Sequence, residues 1–65
     1  MPSSVVSGIH YYPSTSILRI IFVSGTIYDY TNVPEKVYNE MRKAFSKGSY
    51  LNQYIKGFYK YKKVK

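Results

Sequence analysis

At 65 residues, with 45% apolar side chains and no cysteine, the chain has room for one domain around one small core, held by packing rather than by disulfides. That size excludes a deep enzyme cavity, and a net charge of +7 favours polyanionic partners. The longest apolar run, Ile20 to Val23, is far short of the roughly 20 residues that span a bilayer, so no segment is expected to cross a membrane. Neither helix read below has the long apolar face beside lysines that membrane attachment needs, so no membrane partner is expected. The start Met1-Pro2-Ser3-Ser4 has neither the basic head nor the apolar stretch of a signal peptide, and a cytoplasmic protein is the expectation.

Val5 to Tyr12, rich in β-branched and aromatic residues, reads as a first strand closed by the turn residues Pro13 to Ser16. Ile17 to Val23 is the strongest strand signal, with Leu18, Ile20 and Phe22 on one face and Ile17, Arg19 and Ile21 on the other. Thr26 to Thr31 alternates in the same way. A three-residue loop over Val23-Ser24-Gly25, with the glycine left-handed, sets Phe22 against Thr26, Ile20 against Tyr28 and Leu18 against Tyr30. It also sets Arg19 against Asp29. A two-residue loop would oppose Ile20 to Asp29, so the first register is preferred.

Pro34 and Glu35 open a helix on whose apolar stripe lie Val37, Tyr38, Met41, Ala44 and Phe45. Ser46-Lys47-Gly48 is expected to end it with a glycine cap, and Ser49 to cap a second short helix carrying Tyr50, Leu51, Tyr54 and Ile55 up to Gly57. The segment 58–65 alternates aromatic or apolar residues with lysine and fits either an added edge strand or a basic arm. The expected architecture is one α+β domain over 1–65. A three-stranded antiparallel meander carries two helices on one face, an extra C-terminal edge strand is one option, and 57–65 is a basic C-terminal segment.

Catalytic chemistry is missing. His10 is the only histidine and lies inside a strand, and Glu35 and Glu40 stand five apart on a helix, out of line with each other. The few potential metal ligands are dispersed, and Gly8, Gly25, Gly48 and Gly57 are isolated, so neither a metal site nor a phosphate-cradling glycine loop is expected. No cofactor and no small-molecule substrate is implied.

Charge is divided along the chain. Residues 1–31 carry only Arg19 and Asp29, whereas 32–65 hold nine cations against two anions. Arg42, Lys43 and Lys47 near the end of the first helix, with Lys56, Lys60, Lys62 and Lys63 further on, are the candidate phosphate contacts, and Tyr59 and Tyr61 the candidate stacking platforms. Tyr28 and Tyr30 are expected in the core with hydroxyls at its rim, and Ser3 and Ser4 to cap, bind phosphate or fray. The reading is a non-enzymatic nucleic-acid-binding module, RNA favoured over DNA. The alternative is a protein-interaction or homodimer surface on the open sheet face, built on Ile17, Ile21 and Ile27.

The order Ser3-Ser4, Tyr11, Leu18-x-Ile20-x-Phe22-x-x-Gly25, Tyr28-x-Tyr30, Val33-Pro34, Val37-Tyr38, Ala44-x-Ser46-x-Gly48, Asn52, Ile55-Lys56-Gly57 and Tyr59 resembles the KTSC domain family. It departs from the family pattern at His10, Tyr12 and Lys60. The resemblance implies a small module that occurs alone in bacteria and at the C-terminus of some lysyl-tRNA synthetases, and by that association it suggests RNA contact.

Overall fold

The computed structural model describes residues 5–65, so the roles considered for Ser3 and Ser4 lie outside the described residues. Strands β1 (Val6–Tyr12), β2 (Ile17–Phe22), β3 (Ile27–Tyr30) and β4 (Tyr61–Lys63) form one antiparallel sheet in the order β1-β2-β3-β4. The β2–β3 hairpin has the expected register, with Leu18 opposite Tyr30, Arg19 opposite Asp29 and Ile20 opposite Tyr28. Gly25 sits at φ +94° and donates its N–H to the Phe22 carbonyl at 2.9 Å. A side chain there would be strained, which is why the loop needs glycine at that position.

The sheet is joined to the helices through Val33. Its N–H donates to the Ser16 carbonyl at 2.9 Å, and its carbonyl accepts from the Tyr11 hydroxyl at 2.6 Å. The Tyr11 ring then stacks on Tyr38 with centroids 5.3 Å apart. Helix α1 (Glu35–Lys43) therefore leaves the sheet in a fixed direction, with Pro34 as its extended N-cap residue.

The end of α1 differs from the expectation. Ala44 is already extended, at φ −64° and ψ 140°, because Ser46 caps the next helix: its side chain accepts the Ser49 N–H at 3.1 Å. That cap requires extended backbone at Ser46, which is incompatible with α1 running on. Gly48 is consequently a buried residue inside α2 (Lys47–Tyr50) and no C-cap, and Ser49 is the donor to the cap in place of being the cap. Phe45, expected on the apolar stripe, is instead fully exposed, since helical spacing from Met41 is lost once the chain turns out at Ala44.

From α2 the chain continues into one π-helical turn, Leu51–Ile55, where the Lys56 N–H reaches the Leu51 carbonyl at 2.7 Å. It ends at Lys56, already extended at φ −64° and ψ 122°, and Gly57 follows at φ +88°. Leu18, Ile20 and Tyr30 from the sheet meet Val33, Met41, Leu51 and Ile55 in one core, with both helices on one sheet face. The fold is α+β, and the fourth strand resolves the tail as an edge strand.

Replacing fully buried Ile20 with alanine is expected to cost about 2–5 kcal/mol of stability in urea unfolding. A loss below about 1 kcal/mol would mean that this site is not the packed centre of the core. Tyr50 links α2 to α1 by donating its hydroxyl to Glu40 at 3.0 Å, and burial together with that bond pushes its phenol up to about 12. The folded value lies above the ordinary one, so this contribution to stability is complete below about pH 10 and is lost as pH rises toward 12. The tyrosinate absorbance of wild type minus Tyr50→Phe should titrate with a midpoint near 12, and a midpoint near 10 would remove the Glu40 contact.

Candidate nucleic-acid interface

The candidate site is made by β4 docking on β3. The Thr31 N–H donates to the Lys60 carbonyl at 2.9 Å, the Val64 N–H to Ile27 at 2.7 Å, and the Ile27 N–H to Lys65 at 3.0 Å. Tyr61 stands opposite Tyr30, Lys62 opposite Asp29 and Lys63 opposite Tyr28. Side chains alternate along a strand, so Tyr61 and Lys63 share the helix-side face with Tyr28 and Tyr30, and Lys62 projects from the other.

Tyr61 completes an aromatic cluster, with its ring centroid 4.8 Å from Tyr28 and 5.4 Å from Tyr30. Phe22 meets Tyr28 edge-on at 5.3 Å. The helices do not reach over β4, and Tyr61 remains 57% exposed. Beside it lies an open cleft of about 660 Å³, walled by Tyr28, Tyr30 and the segment Lys56 to Tyr61. A second hollow of about 330 Å³ adjoins it through Tyr28, Tyr30 and Lys56, and extends to Phe22, Thr26, Leu51 and Asn52. No acidic side chain lines either one, among the described residues. Burial raises the Tyr30 phenol above its ordinary value, with Tyr61 and Tyr28 adding to the effect.

The sequence-derived cations therefore divide. Lys56 and Lys60 line the cleft, with Tyr59 half-buried between the core and the cleft, and Lys63 lies on the same face. Lys62 is on the opposite face. Arg42 and Lys43 form the last turn of α1, which packs toward β1, the far edge of the sheet from β4, and Lys47 opens α2. They do not line the cleft. Phe58 does, and Phe22 and Asn52 line the adjoining hollow; nothing in their spacing marks them, because the cleft exists only once segment 56–61 has folded back beside β3.

On the open sheet face Ile17, Ile21 and Ile27 are each half-buried, and a polar row crosses all four strands between them: His10, Arg19, Asp29 and Lys62 are successive register partners. Arg19 binds Asp29 through both carboxylate oxygens, at 2.8 and 3.0 Å, and its guanidinium lies 5.3 Å from the Tyr12 ring centre. Ile17 is on one side of this row, Ile21 and Ile27 on the other. Among the described residues no three His, Asp or Glu side chains gather into a metal-holding group, and no helix is long and apolar enough to cross a membrane.

A small four-stranded sheet with two helices on one face and an aromatic, lysine-rimmed cleft at its C-terminal edge defines a small α+β module. The chain belongs to the KTSC domain family, whose model matches residues 2–61. It is 41% identical over 61 residues to a lysine–tRNA ligase of a Nostoc species and 38% identical to those of Nostoc punctiforme and Trichormus variabilis. Each match covers 94% of this chain but only 11% of the relative, so the chain spans about a tenth of the curated proteins it resembles. The crystal structure of a KTSC domain protein from Yersinia pestis superposes with a TM-score of 0.92 at 32% identity, over 100% of this chain and 92% of that one.

Proposed function

We propose that this domain binds nucleic acid, RNA in preference to DNA, without catalysing a reaction, and that it works in the cytoplasm. The observation that carries the reading is the gathering of Tyr28, Tyr30 and Tyr61 with Lys56 and Lys60 around one cleft that no carboxylate among the described residues lines, with Lys63 on the same sheet face opposite Tyr28. Lysines there would neutralise phosphates with release of counterions, and exposed rings offer bases a stacking surface. Its relatives named lysine–tRNA ligase carry the module as a small part of a longer chain, which by analogy favours RNA. Arg42, Lys43 and Lys47 would add a second phosphate contact when the strand is long enough to pass from one edge of the sheet to the other.

A protein-binding or homodimer surface over Ile17, Ile21 and Ile27 is the lesser reading, because the Arg19–Asp29 pair divides the isoleucines and would have to be desolvated in any contact.

Anisotropy titration of labelled single-stranded RNA at several salt concentrations tests the proposal. Changing Lys56, Lys60 and Lys63 together to alanine should weaken binding and flatten the salt slope by roughly 0.7 for each lysine that touches phosphate. Lys62→Ala, on the other sheet face, should change the slope less. Equal, weak attraction to every polyanion, insensitive to which lysines are removed, would overturn the reading.

A further inference from the structure

We propose that the cleft seats one unpaired nucleobase of a single RNA strand against the exposed face of Tyr61, with the flanking phosphates held by Lys56, Lys60 and Lys63; this rests on the RNA reading above and names its recognition element. The Tyr61 ring packs against Tyr28 and Tyr30, tilted 38° and 41° from them, and is still 57% exposed. An aromatic side chain that is braced from behind and open in front is pre-set for stacking: little rotamer freedom remains to be lost when a flat ligand lands on it.

The cleft volume of about 660 Å³ lies within the range of small-ligand sites. Its chemistry selects among flat ligands. A peptide aromatic side chain would gain the stacking but leave three ammonium groups without partners, whereas a nucleotide brings an anionic phosphate on each side of its base. The hydroxyls of Tyr28, Tyr30 and Tyr59 around the wall provide donors and acceptors for base edges. A base inside a duplex is already stacked on both faces and cannot present one to Tyr61, so the site takes single-stranded segments and not helices.

The test compares a short single-stranded RNA with an abasic strand of equal length and charge, each titrated by anisotropy with wild type, Tyr61→Phe and Tyr61→Ala. Tyr61→Ala should weaken binding of the intact RNA roughly 5- to 150-fold, leave the abasic strand's weaker binding unchanged, and spare Tyr61→Phe. Circular dichroism melting of both variants guards against loss of the fold. If Tyr61→Ala binds both strands as wild type does, the nucleobase site is overturned while lysine-dependent RNA binding stands. If Tyr61→Ala weakens both strands equally, Tyr61 serves the fold or the phosphate path and the site is again overturned. If wild type binds neither strand, the RNA reading falls with it.

Discussion

The register of the β2–β3 hairpin is the constraint from which the rest of the molecule follows. One residue of slippage in β3 would turn Tyr28 and Tyr30 away from the helices and bring Asp29 onto the core face beside Leu18 and Ile20. With the register fixed by the left-handed Gly25, the inward row of β2 and β3 offers the helices an apolar floor, and the outward row pairs the strand charges with each other. The free edge of β3 then dictates where the tail can go. Tyr61 falls opposite Tyr30 only because Tyr30 is already facing inward.

A second constraint acts on the crossover from sheet to helix. Both backbone polar groups of buried Val33 are satisfied by the first hairpin, through the Ser16 carbonyl and the Tyr11 hydroxyl. An unpaired buried amide or carbonyl would carry a desolvation cost of about 1–3 kcal/mol, so the first turn, the loop after β3 and the start of α1 are locked as one unit. The Tyr11–Tyr38 stack extends the same lock by a turn along α1. The cleft is bounded by β3 and by the chain from Lys56 to Tyr61, and the π-helical turn borders the adjoining hollow.

What the residues disclosed and what they concealed have physical reasons. The hairpin was readable because strict alternation left only one pairing in which the apolar side chains meet and Arg19 finds Asp29. The start of α1 was readable because proline suits few other positions. Its end was not: the apolar spacing through Ala44 and Phe45 argued for continuation, and the competing Ser46 cap is a single hydrogen bond that periodicity does not weigh. The tail alternates in a way that suits a strand or an arm equally, and the choice was made by pairing with β3, far back in the sequence. The same long-range pairing hid the cleft, whose tyrosines come from two strands and the segment before β4, and whose lysines, Lys56 and Lys60, come from that same segment. Lys62 and Lys63 are adjacent in the chain, and only the sheet tells that they serve opposite faces.

The edge position of β4 gives its lysines a consequence independent of any ligand. The strand is three residues long, wholly exposed, and leaves one side of its backbone open to pairing. Lys60, Lys62, Lys63 and Lys65 surround that open side with like charge, and the opposite edge is irregular, since the β1–β2 register shifts between Val6 and Gly8. Short length, clustered lysine and a bulge are the features that stop sheets from joining end to end. Neutralising the cationic tail would lower one of these three obstacles to edge-to-edge pairing and leave the short strand and the bulge in place.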